Sequence, residues 1–156
     1  FSGLSLWDGA SGANVLTNAY PTANKALFLP FRIYNSFTVT KMWTIIGTAF
    51  SGSIDLGIYD YRGTRLVSSG IGTPTAINSI YSVDLTDTVL NSGLYYMAMS
   101  NGIVGAFQSR TVGSATMRAL GQVQQKSAHP LPATAVFEKI ESNYFPTLGI
   151  TSQTTI

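Results

Sequence analysis

The stretch IDLGIYDYRGTRLVSSG, Ile54–Gly70, decides the fold class. Ile54, Leu56 and Ile58 alternate with Asp55, Gly57 and Tyr59. The pattern breaks at DYRG, Asp60–Gly63, and apolar residues resume beyond it. Side chains on a strand point to opposite faces in turn, so period two predicts a strand with one face on a core. Asp60 suits the first position of a turn and Gly63 its close. The stretch therefore predicts two strands joined by a tight bend. Ile54, Leu56, Ile58, Leu66 and Ser68 are expected to share the inward face. Tyr59 is expected to point away from it.

The same period recurs on both sides. Leu27, Leu29, Phe31 and Ile33 alternate with Phe28, Pro30, Arg32 and Tyr34. Phe37, Val39, Lys41, Trp43 and Ile45 alternate with Thr38, Thr40, Met42, Thr44 and Ile46, and Tyr81, Val83 and Leu85 with Ser82 and Asp84. Turn residues separate these runs: Ser51–Gly52, Gly72–Pro74, Asn91–Gly93 and Asn101–Gly102. Asn-Gly tolerates positive φ at both residues, so Leu94–Ser100 and Ile103–Gln108 are expected to form a hairpin. Short strands with frequent turns predict an all-β, antiparallel β-sandwich.

The ends read differently. Residues 1–25 are rich in Gly, Ala, Ser and Asn and suggest an irregular N-terminal arm that packs on a neighbour. Residues 26–156 form the sandwich domain, including a Pro-rich C-terminal segment with Pro130, Pro132 and Pro146. Within it Ala133–Ser142 suits either a short helix started by Pro132 or an extended strand. The chain begins at Phe1 and not Met, which reads as a processed product or a part of something longer.

Composition narrows the function. Charged residues are 10% of the 156, well below the roughly 25% of ordinary soluble domains, while 45% are hydrophobic, so the chain can bury a core. The net charge is +2 and the nine cations are scattered, which argues against nucleic acid because phosphate binding needs clustered cations. No apolar run approaches a membrane helix, and no signal peptide is visible. Without cysteine there is no disulfide, thiolate catalysis or Cys-based zinc site.

No residue pattern commits the chain to catalysis. His129 is the sole histidine and reads as a loop residue; a triad would need a serine and an acid beside it, and no G-x-S-x-G elbow occurs. A glycosidase would need two acids across a cleft. Asp55, Asp60, Asp84 and Asp87 lie on or beside predicted strands, but Asp60 and Asp84–Thr88 fit turn capping better, and Glu138 and Glu141 fit a surface element. No dense D-x-D-x-D run suggests calcium. Gly70 and Gly72 lack the third glycine and helix of a phosphate loop. No metal or cofactor is therefore expected. What remains is a cluster of aromatics and cations at the turn: Tyr59, Tyr61, Arg62 and Arg65. Together they offer flat faces and donors for a glycan. The competing reading packs these aromatics in the core or against a neighbouring subunit.

Three segments carry a family resemblance. ALFLPFRIYNSFTVTKMWTIIGTAFSGSIDLGIYDYRGTRLVSSG (Ala26–Gly70) contains an apolar-P-F-R opening, Val-Thr-x-x-Trp, and G-x-x-D-x-G-I-Y-D followed by Gly-Thr-Arg-Leu. VDLTDTVLNSGLYYMAMS (Val83–Ser100) contributes G-x-Y-Y-x-A, and YFPTLGI (Tyr144–Ile150) closes the pattern. Over about two thirds of its length the chain resembles a module of bacteriophage virion proteins, found in tail fibres, tailspikes and other appendages. The resemblance implies a jelly-roll sandwich in a homo-oligomer, such as a trimer, or on a larger virion assembly. It implies a non-enzymatic role in the virion, with other virion proteins or a host-surface glycan as partner and without nucleic acid or membrane insertion. It brings no set of functional residues. A purely structural role in capsid decoration or tail assembly is the alternative, and a glycan-cleaving enzyme the third.

Overall fold

The computed structural model describes residues 16–103, 105–111 and 113–152. The fold is all-β and antiparallel, as the alternation predicts. One layer is a six-stranded sheet. Its strands in spatial order are β10 (Glu138–Lys139), β9 (Val123–Gln125), β2 (Ala26–Ile33), β7 (Gly93–Asn101), β4 (Ile54–Asp60) and β5 (Arg65–Ser68). Facing it are two three-stranded sheets. One is β1 (Leu16–Ala19), β8 (Ala106–Thr111) and β11 (Tyr144–Pro146); the other is β12 (Leu148–Thr151), β3 (Phe37–Ile45) and β6 (Ile80–Leu90). The Ile46–Phe107 bridge joins the two smaller sheets. A short helix, α1 (Ser114–Ala119), sends Met117 into the core.

The principal core lies between the layers. Leu27, Leu29, Phe31 and Ile33 of β2, Ile54, Leu56 and Ile58 of β4, and Met97 and Met99 of β7 meet Val39, Met42, Phe107, Phe145, Leu148 and Ile150. Burial of this apolar set is the main driving force for the two layers to close.

Several local expectations are corrected. The inward residue of β5 is Val67, and Leu66 faces out at 41% exposure. The cause is a register shift in which Ile58 pairs with Val67 and Tyr59 with Arg65, leaving Leu66 without a partner across the ladder. A second irregularity between Val39 and Lys41 switches the inward parity of β3, so Met42 and Thr44 are buried beyond it. The Asn101–Gly102 hairpin is not formed. Asn101 still pairs with Ile54, the Gly102 N–H donates to the Ser53 carbonyl at 2.9 Å, and the chain crosses to β8 in the opposite layer. In the described part of the N-terminal arm, Leu16–Ala19 pairs with β8 and Tyr20 is buried in the core, while residues 20–25 belong to no strand. Residues 1–15 of that arm lie outside the described residues. Ala133–Ser142 forms no helix, and only Glu138–Lys139 lies in a ladder, with Thr134 in an isolated bridge to Thr64.

Candidate functional site

The polar residues of β4 converge beneath the Pro-rich segment. Residues 128–137 cross the outer face of the six-stranded sheet and form a roof over it. Beneath the roof Ala26, Phe28, Tyr59 and Ala98 make a second apolar cluster with Ala128, Leu131 and Ala135. Phe137 closes its end, with ring centroids 5.1 Å from Phe28 and 4.6 Å from Tyr96. This second cover explains why β4 is buried on both faces from Ile54 to Tyr59. Gly57 permits the close approach: a Cβ there would lie 3.0 Å from Leu131 Cδ1 and 2.8 Å from the Val67 carbonyl oxygen.

Polar bonds fasten the roof. The Asp55 carboxylate is fully buried and accepts the Leu131 N–H at 3.0 Å. The Tyr59 hydroxyl donates to the Pro132 carbonyl at 2.6 Å. The Arg65 guanidinium donates to the Leu131 carbonyl, and its backbone N–H donates to Ala133 at 2.9 Å. Burial raises the Asp55 pKa, opposed by the Leu131 N–H and the Arg65 charge. Burial also raises the Tyr59 pKa. A buried carboxylate is tolerable when a donor and a cation compensate its lost hydration.

His129 sits in the same layer. Its Nε2 lies 2.9 Å from Ser53 Oγ and its Nδ1 2.9 Å from Ser100 Oγ. Burial lowers its pKa, with Asp55 pulling the other way. A neutral imidazole has one N–H and one lone pair, so one serine receives a proton bond and the other gives one. The arrangement brings a hydroxyl to a base. Yet the second nitrogen faces a neutral hydroxyl, whereas in a triad a carboxylate steadies the imidazolium. Asp55 spends its own contacts on Leu131 and, at 3.4 Å, Ser69. Gly102 also presses on the pair: a Cβ there would stand 2.9 Å from Ser53 Oγ and 3.1 Å from His129 Nε2. The geometry makes His129 a clasp between roof and sheet. Its spacing to Ser53 and Ser100, 76 and 29 residues away, gives no local signal in the chain.

The four candidate binding residues are divided by this roof. Tyr59 points away from the principal core, as its parity predicts, but it is 0% exposed and offers no platform. Arg65 is committed to Leu131. Both are removed from the solvent-facing set because the roof closes on their side of the sheet. Tyr61 and Arg62 stay outside. Tyr61 is 56% exposed, and the Arg62 guanidinium carbon lies 5.1 Å from its ring centroid, with Nε donating to the Tyr61 hydroxyl at 2.7 Å. Asp60 caps the turn, accepting the Arg62 N–H at 2.9 Å and the Thr64 N–H at 2.8 Å. Gly63 closes it at φ +89°, where a Cβ would also meet the Ala135 carbonyl oxygen at 2.8 Å. The roof thus rests on the turn itself.

Among the described residues no three acids or histidines gather as metal ligands. No family model, curated protein or solved structure matches the chain.

Proposed function

We propose that the chain is a non-enzymatic structural module of a bacteriophage virion. It forms part of a tail fibre or other appendage, in a homo-oligomer such as a trimer. It joins a partner virion protein or a host-surface glycan and is extracellular once assembled. The observation that carries this reading is the use made of the chemistry-bearing side chains. Asp55, Tyr59, Arg65 and His129 each hold the 128–137 roof to the sheet. Such a doubly covered sheet suits a rigid scaffold whose contacts are made at its margins. The sequence resemblance to appendage modules points the same way. Quantitative mass spectrometry of purified phage particles tests it: the chain is expected at a fixed, multiple copy number. Its presence in lysate but not in particles would overturn the proposal.

One observation favours a second reading. Ser53 on His129 Nε2 resembles the start of a nucleophile–base pair. A serine-reactive fluorophosphonate separates the two. The scaffold reading expects Ser53 to stay unlabelled; stoichiometric labelling lost in His129→Ala would replace it with a hydrolase.

A further inference from the structure

The roof ends before the sheet does, and what lies beyond it forms a shelf. On the outer face, Pro30 of β2, Tyr96 of β7 and Tyr59 of β4 stand in one row, since both Pro30 and Tyr59 pair with Tyr96. Phe137 covers this row from above Tyr96. One step further along, Arg32 pairs with Leu94. Past Asp60, the residue opposite Tyr95, β4 ends and the turn carrying Tyr61 and Arg62 begins, at the same end of the sheet as Leu94. Arg32 and Leu94 form the next row, the Tyr61 turn lies beyond the end of β4 at this end of the sheet, and all three residues are exposed, Leu94 at 44%.

Arg32 and Arg62 are each stacked on a tyrosine. The Arg32 guanidinium carbon lies 5.7 Å from the Tyr34 ring centroid, and Tyr34 is 76% exposed. Arg62 lies on Tyr61 in the turn beyond β4. These are the two arginine–aromatic stacks among the described residues, and both stand at one end of one sheet face. Neither guanidinium has a carboxylate within ion-pair distance among the described residues. The nearest acid in sequence to Arg62, Asp60, is engaged with backbone N–H groups of its own turn. Two cations with open donors therefore flank an apolar floor, walled by Phe137.

We propose that this shelf binds an acidic polysaccharide. The guanidiniums pair with carboxylates on separate sugars, the tyrosine rings take the apolar faces of the sugar rings, and Leu94 lies beneath the chain between them. An unpaired, two-point positive charge calls for an anion with spaced charges, and the exposed rings call for a ligand with flat C–H faces. An acidic peptide answers only the first demand and a neutral glycan only the second. The inference rests on the glycan arm of the proposed function and names the ligand class.

Affinity electrophoresis of the purified protein through gels containing polygalacturonate, dextran or poly-glutamate tests it. Polygalacturonate is expected to retard the protein, more at low salt than at high, with little effect from the other two. Arg32→Ala and Arg62→Ala are each expected to weaken retardation about tenfold, and Tyr61→Ala about fivefold. Lys139→Ala, an exposed cation on β10, is expected to leave it unchanged. Absence of retardation by polygalacturonate would overturn the inference. So would equal retardation by poly-glutamate, which would mark an acidic protein partner, by dextran, or an equal loss in Lys139→Ala. None of these results touches the copy number in particles, so the shelf can fail while the virion assignment stands.

Discussion

The two faces of the six-stranded sheet are held by different physics. The inner face is a set of apolar side chains, mostly aliphatic, pressed on an opposing apolar layer. The outer face is covered by ten residues of non-helical chain, joined by a small aromatic and alanine cluster and by side-chain-to-backbone hydrogen bonds. Apolar burial is non-directional and tolerates many partners, whereas hydrogen bonds need one partner in one place. The inner face should therefore govern global stability and the outer face the local hold on the roof.

The largest effect should come from the inner face. Ile58→Ala removes a fully buried side chain of β4 and is expected to destabilise by about 2–5 kcal/mol. Chemical denaturation would show it as a lower midpoint, and a loss below that range would mean the inner core is not the dominant one. Next stands Gly63→Ala, which strains a φ of +89° and crowds the Ala135 carbonyl. A loss of about 1–3 kcal/mol is expected, with hydrogen-exchange protection falling first in 128–137. Protection lost evenly over the whole sheet would erase the distinction between the faces.

Tyr59→Phe keeps the ring and deletes the bond to Pro132, at an expected loss of about 0.5–1.5 kcal/mol. Acid should act on the same side. Burial lowers the His129 pKa from its ordinary 6.5, so the fold favours the neutral ring. The stability this supplies is complete above that value and is lost as pH falls from it toward the folded pKa. Asp55 has the opposite sign: its raised pKa means that the fold gains stability as pH drops through the folded value toward 3.8. Thermal melts should thus fall on acidification through pH 6.5, and His129→Gln should flatten that slope. An unchanged slope would remove His129 as the cause. Smallest of all is Tyr61→Ala, where stability should shift by less than about 0.5 kcal/mol because the ring is exposed and its stack is with the exposed Arg62.

The inner face was legible because period two is a local property. Leu27, Leu29, Phe31 and Ile33 announce their side of β2 without reference to any other strand. Errors of parity arose where the ladders slip, at Leu66 and beyond Val39, because a bulge depends on the partner strand. The outer face was hardly legible. Parity turns Tyr59 away from the core and leaves both a ligand platform and a packed ring open, and only Pro132, 73 residues on, makes it a buried donor. His129 read as a loop residue for the same reason. Of the four residues grouped at the turn, the roof takes Tyr59 and Arg65, while the proposed shelf adds Arg32 and Leu94, which only the pairing of β2 with β7 brings together.

Sequence alone determined the all-β class, the alternating core of β2 and β4, and the Asp60–Gly63 bend, since each follows from side-chain parity or from backbone demands within a few residues. Tertiary structure decided which polar side chains are spent as fasteners and which remain exposed. That choice depends on where a distant segment lands, and the energy of a hydrogen bond or a buried charge is fixed by its partners in space and not by its neighbours along the chain.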